Sequence, residues 1–312
     1  MRNAVARRWK ARARPDRVPL IVSMIGGEQG TPEQSLLVVR RDYVPNSGVP
    51  SVIVAHGAGV GAVDLLRPAY WPQLRALAEA GFPVMCPDLG EVPGRGPNRG
   101  RWSFGNEFAV KAMTDAWAYL CARQTDGDLS TGVGASPHAV FLAGGSTGAL
   151  SCLQWARHVA LPGGISVGAA CVLPIIDLDE VREIDVGIDD FLVGTDVHPG
   201  DGRGFIFRRQ IDTAWGSTYP DELPSGANPA RVDPVNFARL NCHIWYSSND
   251  FIAKKATAES FLASIEAAGA TVGATSIGPV GHSAVTLDVA AIGSYFSTVA
   301  LQFSSAASAR LG

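Results

Sequence analysis

The sequence predicts an α/β fold: a mostly parallel sheet with helices on both faces and a lid insertion over one end. Three observations carry this. Short apolar runs alternate with amphipathic segments along nearly the whole chain. The runs are near-continuously apolar, as strands buried on both faces are. Residues 177–241 break the rhythm and are too long for an ordinary connection between two strands.

Taken in order, residues 1–17 form a basic N-terminal arm, with seven basic residues against one Asp. No apolar core follows, so the arm is not a secretory signal peptide. It reads as a solvated tail or as a docking contact in a larger assembly, and nucleic acid is disfavoured as its partner. Residues 18–176 form the first part of the core. Strands are expected at 35–44 and 51–57, then a helix over 72–81 with Leu74, Leu77 and Ala78 on one face and Gly81 as its stop. A strand at 82–88 leads into a Gly/Pro loop, and 106–123 is an amphipathic helix. A strand at 138–143 turns at Ser146 into another helix, and 164–174 is again a strand.

The acidic cap, 177–241, follows. Between Asp177 and Glu222 it carries twelve carboxylates and four arginines, the carboxylates being expected mostly in solvent. Its apolar residues, among them Phe191, Leu192, Phe205, Ile206, Phe207 and Trp215, would meet a bound acyl group or pack the cap onto the body. The second part of the core, 242–312, gives a strand at 242–250, a helix at 254–270, a strand and loop at 271–282 and a terminal helix.

Composition narrows the function. With 46% hydrophobic and 18% charged residues the chain is a folded globule, and its net charge of -3 exerts no pull toward nucleic acid or anionic membrane. No run approaches the roughly 18 apolar residues of a transmembrane helix. Five cysteines, an odd number without a CxxC pair, fit buried thiols made in a reducing cytoplasm. The final location is left open, part of a larger particle included.

The chemistry concentrates at Gly144-Gly145-Ser146-Thr147-Gly148, a G-x-S-x-G elbow between a strand and a helix. A turn this sharp needs small residues on either side of the serine and pushes its hydroxyl outward. The following helix aims its free N–H groups and positive dipole end at the same point. A serine nucleophile needs a base. Of six histidines, His56 ends an early strand next to glycines, and His282, in the loop after the last strand, is the expected base because a loop can bring its ring over the elbow. His138 and His243 are assigned to the wrong end of their strands, His158 to the far part of a helix, and His198 to the cap as a substrate contact. Asp250, closing "HIWYSSND", is the expected orienting acid, with Asp88 as the alternative. Ala58 or Gly59, in "HGAG", and Thr147 would supply the oxyanion N–H donors. No dinucleotide or phosphate-loop pattern is present, and no metal or cofactor is called for.

With the order Ser146, Asp250, His282, the upstream "HGAG" and the central "GGSTG", residues 35–300 resemble the α/β-hydrolase superfamily in its serine esterase and lipase branch. The resemblance implies an α/β-hydrolase fold with a lid, Ser146 as nucleophile, His282 as base and Asp250 as triad acid. It assigns His56 and Gly57 to support of the oxyanion loop, and Gly144 and Gly148 to the elbow. It further implies hydrolysis of a small-molecule or lipid-like ester. The Ala/Gly-rich composition is similar to that of actinobacterial or phage hydrolases, some of which cleave cell-envelope esters. Gly145 stands where many relatives carry a bulkier residue. The rival readings are a serine peptidase or amidase with the same triad, and a structural component on a hydrolase fold that docks through the arm or the cap.

Overall fold

The computed structural model describes residues 20–26, 34–58, 61–68, 70–89, 103–125, 129, 131–159, 164–183, 204–282 and 289–309. The basic arm, His198, Phe191, Leu192 and Gly59 lie outside them, as do the side chains of residues 205–207.

The sheet is built from β1 (Leu20–Gly26), β2 (Gln34–Arg40), β3 (Ser51–Ala55), β4 (Val84–Pro87), β5 (Ala139–Gly145), β6 (Ser166–Val172), β7 (Leu240–Tyr246) and β8 (Thr271–Ser276). Their spatial order is β1-β2-β4-β3-β5-β6-β7-β8. β1 and β2 are antiparallel to their neighbours, and the pairs from β4 through β3 to β8 are parallel. Strands β3, β4 and β5 are buried at every residue, as their unbroken apolar runs require. β1 had no expected counterpart. Its alternating side chains divide between the two faces, with Leu20, Val22 and Met24 on one and Ile21 and Ile25 on the other.

Helices α1 (Trp71–Glu79) and α7 (Val289–Ala309) cover one face, and α2 (Glu107–Cys121), α3 (Thr147–Val159) and α6 (Lys255–Ala267) the other. Phe141 of β5 anchors the first side, stacked on Phe296 of α7 with ring centroids 4.6 Å apart and edge-on to Phe82 at 5.5 Å. Met113, Leu153 and Phe261 anchor the second. Each core is thus sheet against helix, and together they fix the carboxyl ends of β3, β5, β6 and β7 in one row.

Between β6 and β7 the described chain forms α4 (Leu178–Arg182), α5 (Gly204–Trp215) and two 3-10 turns. Several carboxylates of this stretch are paired and not solvated, contrary to the sequence expectation. Asp177 caps α4 by accepting from Asp179 and Glu180 N–H, and it also receives Arg231. The Arg182 guanidinium, 2% exposed, lies 2.9 Å from Asp179 and 2.7 Å from Asp212 and donates to the Asp221 carbonyl. A guanidinium taken out of water is costly unless paired, so the arginines draw the acids inward. Ile211 and Trp215 of α5 pack in one cluster with Ala58, Phe104, Leu150, Ile175 and Ile252, above the carboxyl ends of the strands.

Candidate active site

The elbow is a strand that has to reverse within one residue. Ser146 sits at φ 56°, a left-handed conformation that costs an ordinary residue energy and that few serines adopt. Its N–H donates to Val172 O at 2.9 Å, and its carbonyl accepts from Leu150 at 3.2 Å. Both neighbouring glycines are needed for space. A Cβ on Gly144 would stand 2.5 Å from the Gly148 carbonyl carbon, and one on Gly148 would stand 2.2 Å from Ala55 O. These are backbone atoms of α3 and of the neighbouring β3 and have nowhere to move. Gly148→Ala is therefore expected to destabilise the chain by about 3 kcal/mol or more. Urea unfolding would measure it, and a loss below about 1 kcal/mol would contradict the close approach.

Around this hydroxyl the structure brings two side chains from distant parts of the sequence. His282 Nε2 lies 2.8 Å from Ser146 Oγ, and His282 Nδ1 lies 2.7 Å from Asp250 Oδ2. Since the carboxylate can only accept, the proton sits on Nδ1 and Nε2 is free to accept from the serine. Asp250 is held in turn, its Oδ1 accepting the N–H groups of Ile252 and Ala253, each at 2.9 Å. All three residues are buried, with Ser146 4%, Asp250 5% and His282 3% exposed. Removal from water strengthens each link of the line.

The loop that carries His282 is tied down by a residue the sequence gave no reason to single out. Ser247, fully buried just past the end of β7, accepts the Val280 N–H at 3.0 Å and faces the carbonyls of Gly278 and Val280. Its partners in that loop lie more than thirty residues further along, and its one nearby bond, from the Asn249 N–H at 3.2 Å, does not point to them.

His56 serves a different purpose from His282. Its Nδ1 donates to Gly57 O at 3.1 Å and its Nε2 accepts from Leu89 N–H at 3.2 Å, which fastens the turn after β3 to the end of β4. Asp88 Oδ1 lies 3.3 Å from the same Nε2. Asp88 thus meets His56 and not His282, and the acid on His282 is Asp250. Ala58 is buried beside the elbow, and Thr147, first residue of α3, has an N–H outside that helix's own ladder. Trp215 donates its indole N–H to Phe104 O at 3.1 Å, joining the segment after β6 to the loop before α2. Phe104 is itself at φ 46°.

The cysteines stand apart from this chemistry. Cys86, Cys152, Cys171 and Cys242 are buried, and burial pushes the thiols of Cys86 and Cys152 upward; half-buried Cys121 is raised to about 11. No helix among the described residues is long and apolar enough to cross a membrane.

A family profile described as the alpha/beta hydrolase family matches residues 52–292. Among solved structures, the chain is similar to brefeldin A esterase, a bacterial homologue of human hormone-sensitive lipase. The TM-score is 0.61 at 16% identity, over 94% of this chain and 81% of that one. It is also similar to a fungal esterase from Rhizomucor miehei (TM-score 0.58, 16% identity, 92% and 83% covered). A thermostable esterase from Pseudomonas putida gives a TM-score of 0.58 at 14% identity, with 93% and 85% covered. At these identities the likeness is one of fold. No match was found among curated proteins.

Proposed function

The chain belongs to the alpha/beta hydrolase family, and from that premise we propose that it is a serine hydrolase that cleaves carboxylic esters through an acyl-enzyme intermediate. The observation that carries the reading is the hydrogen-bonded line from Asp250 through His282 to a serine at positive φ.

Ser146 Oγ attacks the ester carbonyl while His282 Nε2 takes its proton. The developing imidazolium is stabilised by Asp250, which stays ionised. The oxyanion is received by the Thr147 N–H at the start of α3 and by the N–H of Ala58 or Gly59, the turn after β3 being fastened by His56. One such donor is worth about 3 kcal/mol of transition-state stabilisation. His282 then passes its proton to the leaving alcohol, and water activated by the same imidazole clears the acyl group. Nothing in these steps asks for a metal or a cofactor.

The ester class is supported by the similar structures, named as esterases. The segment 177–241 acts as the cap, since Ile211 and Trp215 share one apolar cluster with Ala58 of the oxyanion loop and Ile252 beside Asp250. That cluster favours an apolar acyl group over a charged one.

The test is hydrolysis of nitrophenyl esters from acetyl to long acyl chains, with fluorophosphonate labelling in parallel. Turnover with an optimum in chain length, together with an adduct on Ser146, is the expected result. Inertness toward every ester together with an unlabelled Ser146 would overturn the reading.

A further inference from the structure

Among the described residues, Ser146 shares its positive φ with three others that are not glycine, Asn46, Phe104 and Leu173. Leu173, at φ 46°, stands directly past the end of β6, the strand beside the elbow. Two local rules oppose that conformation. A Cβ crowds the following carbonyl in the left-handed region, and a residue before proline, here Pro174, is pushed toward extended backbone. Leu173 is nevertheless fully buried there, in the apolar cluster with Trp245 and Phe296.

The bend shows in how the side chains divide. Along β6 successive residues take opposite faces of the sheet, Ala169 and Cys171 on one side and Ala170 and Val172 on the other. Leu173 breaks the alternation and joins Val172 on the same side. Two residues later, Ile175 lies in the cluster that contains Ala58 and Ile252.

This bend closes a clip around the backbone of the elbow serine. Val172 O accepts the Ser146 N–H at 2.9 Å, and the Ile175 N–H donates to Ser146 O at 3.4 Å. Both backbone groups of Ser146 are thus held by the one stretch 172–175, which meets both because the chain turns at Leu173. The clip is fixed in its turn by the Leu173 N–H on Trp245 O at 2.8 Å and by the Ala230 N–H on Ile176 O at 3.3 Å. A strained residue such as Ser146 keeps its conformation only while its surroundings over-determine it.

We infer that Leu173 is a positioning residue for the nucleophile, acting through its backbone conformation and not through its side chain. The inference rests on Ser146 being the nucleophile, as proposed above. If residue 173 relaxed to extended backbone, Val172 O and Ile175 N would draw apart, and the Ser146 hydroxyl would leave its place 2.8 Å from His282 Nε2. A displacement of about 1 Å at a reacting atom costs on the order of 100-fold in rate. Substrate binding, which depends on the cluster above the elbow, would change less.

Substitution at 173 separates backbone from side chain, because the two roles rank the same variants in opposite orders. Glycine takes positive φ freely, alanine less so, and β-branched isoleucine resists it most. Retained side-chain volume runs the other way, from isoleucine down to glycine. The measurements are kcat and KM toward a nitrophenyl ester and the rate of fluorophosphonate labelling at Ser146, for Leu173→Gly, Leu173→Ala and Leu173→Ile. Circular dichroism checks that each variant is folded. The expected order in kcat and in labelling rate is Gly above Ala above Ile, with KM nearly constant. Leu173→Gly should stay within about fivefold of wild type and Leu173→Ile should fall by about 100-fold. Leu173→Gly is also expected to unfold at a lower temperature than wild type, and to be active nonetheless. Any two folded variants decide the order, so misfolding of one does not spoil the comparison. The opposite order, or equal rates across the series, would overturn the inference and leave Leu173 to packing alone. A wild type that neither cleaves esters nor takes the label would overturn the hydrolase reading and this inference with it. A reversed order in an active wild type would overturn this inference alone.

Discussion

Replacing Ser146 with alanine is expected to lower kcat toward a nitrophenyl ester by about 10⁶-fold, with thermal stability little changed. The hydroxyl supplies the only oxygen in the line that can attack a carbonyl, so its loss removes the covalent route and not merely part of it. Alanine accepts the φ of 56° about as well as serine does, so the elbow keeps its shape. A residual rate of about 10³-fold over water should persist, because the Thr147 N–H and the apolar cluster proposed to meet the acyl group are untouched. Kinetics and fluorophosphonate labelling check this together. Activity within about tenfold of wild type, with the label on another residue, would remove Ser146 from the mechanism.

Such a prediction can be made because the elbow is a local feature. Gly144 answers to a clash between a strand and the helix that follows it immediately, and both elements show in the apolar pattern, whereas Gly148 answers to the carbonyl of Ala55 at the end of β3. Asp250 and His282 were readable for a related reason. Each lies just past a strand of a parallel sheet, and the carboxyl ends of such strands share one side. What escaped were features whose cause lies far away in the chain. Ser247 takes its meaning from the loop at 278–280. Arg182, surrounded in sequence by acids, gave no sign that it would be buried and draw Asp212 in with it. β1 was missed because an antiparallel edge strand owes its existence to its partner β2, more than to any strong signal of its own.

Asp250→Asn is expected to cost about 10⁴-fold in kcat while leaving the fold intact. The amide is nearly the same shape as the carboxylate. Its oxygen can go on accepting the Ile252 and Ala253 N–H groups at 2.9 Å, which fixes which way the side chain points. The amide nitrogen then occupies the position of Oδ2, 2.7 Å from His282 Nδ1. An amide nitrogen can only donate, so Nδ1 has to give up its proton and accept. The ring proton moves to Nε2, which then donates toward Ser146 Oγ at 2.8 Å and can no longer take the serine proton. One atom changed at the far end of the line thus inverts the tautomer at the near end, without displacing a residue. The signature is a large fall in kcat with little change in KM or unfolding midpoint, partly recovered at high pH where the serine hydroxyl loses its proton to solvent base. Asp88→Asn, made alongside, addresses the His56 pair and should spare that proton transfer. A loss of 10⁴-fold in the Asp88 variant, with Asp250→Asn near wild type, would assign the orienting acid to the wrong strand.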